Sequence, residues 1–287
     1  MMRIACIGEA MIELSMAGED AQLGVAGDTL NTAIYLHREA PALQVEFVTC
    51  LGDDPFSQRI SDFITSQGVG TDTIHRIAGS SPGLYAITTT EDGERSFTYW
   101  RNASAARQLF ADLDFSILAG FDAVYLSGIS MAILPHPVRT ALAEWLETAQ
   151  VKVIYDSNYR PRLWENEAQA QQITKAIWDR ADVALPSIDD EMALFGETAA
   201  QVETRFAAHR GQGALKRGEN GPMSLGSQVT QAYPPAERVI DTTAAGDSFN
   251  GGYLGALLSG KSQTDALMAG HQLAAKVVQH RGAIMPE

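Results

Sequence analysis

Asp241-Thr-Thr-Ala-Ala-Gly-Asp-Ser-Phe249 follows the apolar pair Val239-Ile240 and opens into Asn250–Ser259, a stretch rich in small residues and Leu. Small residues at a helix start let backbone N–H groups approach an anion closely, and the helix dipole adds positive potential there. Such a turn suits a phosphate. A carboxylate inside it repels phosphate, and its presence makes sense if it accepts a proton from an attacking hydroxyl. Asp247 fits that task. The same residues also fit an Asp capping an ordinary helix.

Outward from this turn, the chain alternates strand-length apolar runs with segments of helical spacing. Arg3–Gly8, Val45–Cys50, Ala123–Leu126, Val151–Tyr155, Val183–Leu185 and Ala214–Lys216 read as buried strands, and Val138–Thr148 and Ala168–Arg180 as helices. The alternation predicts an α/β fold, a mainly parallel central sheet flanked by helices on both faces. Gly83–Arg101 has a different texture. There Leu84–Thr90 and Arg95–Arg101 flank Glu91-Asp-Gly-Glu94, a hairpin pattern with Asp92-Gly93 as its turn. Together with Met11–Ser15 and Gln22–Val25 it predicts a small β-sheet lid, drawn from residues 9–26 and 83–101 of a single domain spanning 1–287.

The 287 residues are 45% hydrophobic and 20% charged, which is ordinary for a globular protein with a substantial core. No apolar stretch approaches the roughly 20 residues that a membrane-spanning helix needs, and Met1–Ala10 lacks a signal-peptide core, so the expected compartment is the cytoplasm. Cys6 and Cys50 lie inside apolar runs and read as buried reduced thiols. With 35 acidic residues against 21 Lys and Arg, the formal charge of −14 repels nucleic acid and anionic lipid surfaces. Small anionic substrates then require basic residues concentrated locally.

Four segments supply such residues and their polar neighbours. In Ala26-Gly-Asp-Thr-Leu-Asn-Thr-Ala33 a Gly-containing turn leads into an apolar helix, Thr32–Arg38, placing Asp28 and Asn31 where polar side chains bind sugar hydroxyls or cap the helix. Tyr99-Trp100-Arg101 and Asn158-Tyr159-Arg160 each come just after a predicted strand; two convergent guanidinium forks suit an acid substrate, and in so acidic a chain they equally suit structural salt bridges. Lys216-Arg-Gly-Glu-Asn-Gly221 follows a short apolar run, and Gly218 and Gly221 permit either a tight loop against a nucleotide or a plain hairpin turn.

On these residues the chain resembles the ribokinase-like (PfkB) carbohydrate kinases. The Gly27…Asn31…Ala33 turn and the Asp241–Asp247 segment match that family's two signatures, and the order of strands and helices agrees over nearly the whole chain. Within the family it is most similar to the kinases of 2-keto-3-deoxygluconate, through Gly8-Glu-Ala-Met-Ile-Glu13, Gly27–Asn31, Tyr99–Asn102, Asn158–Trp164 and Arg281–Ile284.

The resemblance implies a ribokinase-like fold and ATP-dependent phosphorylation of the sugar acid in the presence of magnesium. It implies that Gly27, Asp28, Thr29, Leu30 and Asn31 contact the sugar acid, with Tyr85, Tyr99, Trp100 and Arg101 reaching in from the lid and Arg160 on the substrate carboxylate or bridging toward phosphate. Asn158, Tyr159, Arg160, Ser187, Lys216, Arg217, Gly218, Gly221, Ala244, Ala245 and Gly246 then line the nucleotide side. Asp247 is the implied base, and the amides of Ala245, Gly246 and Asp247 the implied anion hole. The family usually carries Gly at position 244, where a methyl is accommodated if the local φ is negative. Its Asn-x-x-Glu element, linked to magnesium through water, stands here as Ser187-Ile-Asp-Asp190 followed by Glu191, making Asp190 and Glu191 the candidate carboxylates. A homodimer or higher homo-oligomer, lid against lid, is also implied. The rivals are a kinase of the same fold acting on fructose, ribose or a nucleoside, and a non-catalytic sugar-acid or nucleotide sensor.

Overall fold

Buried apolar runs need backbone partners on both sides, and here they find them in one seven-stranded sheet. The computed structural model describes residues 1–17, 20–89 and 95–286. Its strands are β1 (Arg3–Ile7), β2 (Met11–Ala17), β3 (Asp20–Ala26), β4 (Gln44–Val48), β5 (Cys50–Leu51), β6 (His75–Arg76), β7 (Gly83–Thr89), β8 (Arg95–Trp100), β9 (Ala123–Ser127), β10 (Lys152–Asp156), β11 (Val183–Ala184), β12 (Gln212–Leu215) and β13 (Met223–Leu225). The large sheet runs β13-β12-β11-β10-β9-β1-β4, parallel throughout except for the β12–β13 pair. The expected run Val45–Cys50 divides into β4 and β5, the latter pairing with β6 in a separate two-stranded sheet.

Successive side chains of a strand face opposite ways, and the core divides accordingly. Ala5, Ile7, Val124, Leu126, Val153 and Tyr155 pack against α3 (Gly128–Ile133), α4 (His136–Thr148), α5 (Glu167–Arg180), α6 (Ile188–Phe195) and α7 (Ala199–Ala207). Ile4, Cys6, Ala123, Tyr125 and Ile154 pack on the other face against α1 (Asp28–Glu39), α2 (Pro55–Ser66), α8 (Ala245–Leu258) and α9 (Gln263–Val277). Both cysteines are buried free thiols, as expected. Among the described residues no helix is long and apolar enough to cross a membrane.

The second texture in the sequence forms a second sheet, ordered β3-β2-β7-β8. β7 and β8 pair antiparallel with Tyr85 opposite Tyr99, while β2 joins β3 antiparallel and β7 parallel. The expected Asp92-Gly93 turn lies outside the described residues. Tyr85, Phe97 and Tyr99 share one face, Tyr85 and Tyr99 stacking at 5.5 Å between ring centroids. That face looks toward the C-terminal ends of the large sheet's parallel strands, where α/β proteins place their ligands.

Candidate active site

A cavity of about 910 Å³ lies between the two sheets. Met11, Ala26, Tyr85, Phe97 and Tyr99 wall it from the smaller sheet; Asp156, Asn158, Ser187 and Lys216 wall it from strand ends of the larger. Gly27, Asp28, Asn31, Arg101, Arg160, Arg217, Gly218, Asp190 and the turn from Ala244 to Asp247 complete the expected set that it gathers. Gly27 is required by close approach, since a Cβ there would stand 2.1 Å from the Glu9 carbonyl oxygen.

The turn into α8 is shaped by Asp241. Its Oδ1 accepts from the Thr243 N–H at 3.0 Å and hydroxyl at 2.6 Å, and its Oδ2 from the Gly282 N–H at 2.9 Å. Ala244 precedes the helix at φ +59°, ψ +18°. A negative φ was the condition for tolerating its methyl, and the backbone is left-handed instead. Such a conformation costs a non-Gly residue on the order of 1 kcal/mol. We therefore expect Ala244→Gly to raise the melting temperature by about 2–4 °C; an unchanged or lowered value in a thermal scan would contradict that strain.

Asp247 is the third residue of α8. The Asn31 side-chain amide donates to its Oδ2 at 2.8 Å, and the Thr32 hydroxyl donates to its backbone carbonyl at 3.3 Å. Burial, with Asp28 and Asp156 nearby, pushes the Asp247 carboxyl up to about 8 despite the Asn31 bond and the Lys216 charge. A carboxyl so placed is a proton acceptor of useful strength near neutral pH. Of the three amides expected to face an anion, the Ala245 N–H is committed to the Thr242 carbonyl at 3.1 Å. The Gly246 and Asp247 N–H groups follow it, and among the described residues neither donates to a backbone carbonyl.

Lys216 supports this corner from below. Its Nζ sits 2.9 Å from Asp156 Oδ2 and 3.2 Å from Asn250 Oδ1, and 3.7 Å from where a side chain on Gly246 would begin. Arg160 lies at the mouth, half-exposed, 3.2 Å from Asp190 Oδ1. Asp190 is pushed up by burial, a shift that Arg160 opposes.

Arg101 does not stand alone. Its Nη2 pairs with the Glu9 carboxylate in a buried ion pair, while among the described residues Arg101 Nε and Glu9 Oε1 have no hydrogen-bond partner. Buried polar atoms are rarely left unsatisfied, so this pair offers one donor and one acceptor to whatever fills the cavity. Asn31 Oδ1 is likewise buried without a partner among the described residues. Neither Glu9 nor Asp156 was singled out from sequence. For Asp156 the available signal was an acid ending the apolar run Val151–Tyr155; for Glu9 it was an acid immediately after the first strand run and its Gly.

Several expected residues fall outside the wall. Thr29 and Leu30 bury their side chains in the interior, because their positions on α1 face the sheet. Trp100 points to solvent, being 58% exposed on the opposite face of β8 from Tyr99. Tyr159 packs into the core with Trp164, and Gly221 sits beside the Tyr233 ring at φ +72°. Glu191 is a correction to the candidate metal carboxylates. It is fully buried, accepting from Trp178 Nε1 at 3.1 Å and Arg205 Nη2 at 2.9 Å, and burial pushes it up to about 7. Such a carboxylate is held in the interior and does not reach the cavity.

An anion-accepting helix start with a proton-accepting carboxylate on its first turn, closed in by aromatic strands, is suited to moving a phosphoryl group onto a hydroxyl. The pfkB family carbohydrate kinase profile matches residues 1–287, and the chain belongs to that family. It is 44% identical over an alignment of 301 positions to a 2-dehydro-3-deoxygluconokinase of Dickeya dadantii, covering 99% of this chain and 96% of the relative. It is 43% identical over an alignment of 302 positions to the enzyme of that name from Escherichia coli K12, covering 99% of this chain and 97% of the relative. Among solved structures, a PfkB protein from Polaromonas superimposes with a TM-score of 0.80 at 26% identity, covering 97% of this chain and 96% of the other.

Proposed function

We propose that this chain transfers the γ-phosphoryl group of ATP to the terminal hydroxyl of 2-dehydro-3-deoxy-D-gluconate, giving the 6-phosphate. The observation that carries the reading is the meeting of Asp247, at the start of α8, with Arg101 in one cavity. Full-length relatives bearing the name of that kinase support the choice of acid.

In this reading Asp28 and Asn31 receive substrate hydroxyls and Arg101, with Arg160 at the mouth, reads the carboxylate. Asp247 takes the proton of the attacking hydroxyl. The Gly246 and Asp247 amides and the end of α8 stabilise charge on the transferring group. Apolar walls at Pro222, Pro235, Ala236, Val239, Ala274 and Val278 receive the base of the nucleotide. The smaller sheet acts as a lid whose aromatic face excludes water, the competing acceptor.

The described residues contain no group of three or more His, Cys, Asp or Glu able to hold a metal by themselves. That suits magnesium, which keeps most of its waters and takes phosphate oxygens, needing little from the protein. Asp190 would hold it through water, and the ion would neutralise phosphate charge. We place the reaction in the cytoplasm, in a homodimer or higher homo-oligomer joined through the smaller sheet, where Leu23 and Trp100 are exposed.

A coupled ADP-release assay tests the reading, using magnesium-ATP against 2-dehydro-3-deoxygluconate, its galactonate epimer, gluconate, fructose, ribose and adenosine. Turnover confined to the keto-deoxy acids is expected. Turnover of a neutral sugar would demote Arg101 and Arg160 to structural roles, and silence across the panel would favour a sensor.

A further inference from the structure

Asp156, Ser157 and Asn158 leave the end of β10 in succession and reach three different parts of the cavity wall. Asp156 Oδ2 accepts from Lys216 Nζ at 2.9 Å and Asn250 Nδ2 at 2.6 Å, beneath the anion hole. Ser157 Oγ accepts from the Ser187 N–H at 3.0 Å, toward the nucleotide side. Asn158 turns the other way. Its Nδ2 donates at 2.8 Å to Asp28 Oδ2, on the first residue of α1, and that same oxygen accepts from the Ser127 hydroxyl at 2.5 Å. To do so Asn158 adopts φ +25°, with its own N–H held by Asp156 Oδ1 at 3.2 Å. A residue in so sparsely populated a conformation persists where its surroundings over-determine it.

We propose that Asn158 is a positioning residue for sugar binding, its side-chain amide fixing the Asp28 carboxylate in the orientation that receives a substrate hydroxyl. The family resemblance placed Asn158 on the nucleotide side, yet its side-chain donor is spent on the sugar side. The inference rests on reading this cavity as a sugar-acid site. Hydrogen bonds to a charged acceptor are the stronger kind, so losing this one leaves that Asp28 oxygen with one of its two side-chain donors, Ser127, and its orientation less tightly fixed.

The test is to titrate the sugar acid alone, and a non-hydrolysable ATP analogue alone, into the wild-type chain and Asn158→Gly by calorimetry. Glycine removes the amide without adding strain at positive φ. The expected result is a sugar-acid Kd raised about tenfold, with the analogue's Kd changed by less than about twofold. Asn158→Asp, which sets a second carboxylate against Asp28, should weaken the sugar acid further and serves if the glycine variant melts non-cooperatively. In an Asp28→Asn background Asn158→Gly should have little further effect on the sugar acid. Weaker analogue binding with sugar binding intact, or equal weakening of both, overturns the inference. A wild-type chain that binds the analogue and not the sugar acid removes the functional reading and the inference with it.

Discussion

Asp247→Asn should lower kcat by a factor on the order of 10²–10⁴ while leaving nucleotide binding nearly unchanged, and should make the unliganded protein more stable. The two effects have one cause. Asp247 is buried beside Asp28 and Asp156, and its ionised form is held there at a cost that raises its pKa to about 8. A folded-state pKa above the unfolded value near 4 means that the folded chain holds the proton more tightly. Its contribution to stability is therefore fully present below that unfolded value and is lost as pH rises through about 8. The amide variant escapes this loss, so its advantage in melting temperature should grow across the same window. For the wild type, kcat/KM should rise with pH and level off above about 8, the range in which the base is free. Wild-type kcat in Asp247→Asn would remove the residue from its role, and a melting temperature that falls would contradict the electrostatic account.

Arg101→Met should cost the protein about 3–5 kcal/mol, because it strands the buried Glu9 carboxylate. It should also raise KM for the sugar acid while leaving KM for ATP nearly unchanged. The double variant Glu9→Gln/Arg101→Met separates the two losses. Replacing a buried ion pair by neutral groups of similar size is close to neutral for stability, so melting temperature should largely recover. The sugar-acid KM should not, since the donor for the substrate carboxylate is still missing. Recovery of both would make the pair purely structural.

Most of the fold was legible because its strands are buried on both faces and so appear as unbroken apolar runs. The limits of that reading are physical. α1 was expected from Thr32, where apolar spacing begins, yet it starts at Asp28. Asp28 and Asn31 in its first turn face the cavity and are polar for that reason, so the function of the turn disguised the helix. β12 was placed at Ala214–Lys216 and spans Gln212–Leu215, with Gly213 at φ +151° inside it. Glycine carries no side chain to mark a strand.

The site was legible where several polar residues cluster, at Gly27–Asn31 and Asp241–Asp247. Single acids were harder to read. Asp190 and Glu191 adjoin in sequence, but successive residues of a helix point about 100° apart, so one reaches the cavity and the other reaches Arg205. Glu9 announced nothing beyond its charge, and only the folded chain brings it to Arg101.

The bond between Asn31 and Asp247 joins residues 216 positions apart, and that between Tyr35 and Ala283 spans 248. During synthesis the sugar half of the pocket therefore emerges long before its proton acceptor, and loops of this length close slowly. No nascent or partly folded form that lacks the last helices brings Asp247 to Asn31. A substrate that touches both Asn31 and Asp247 would favour the completed fold over late intermediates, so abundant substrate should raise the yield of intact protein.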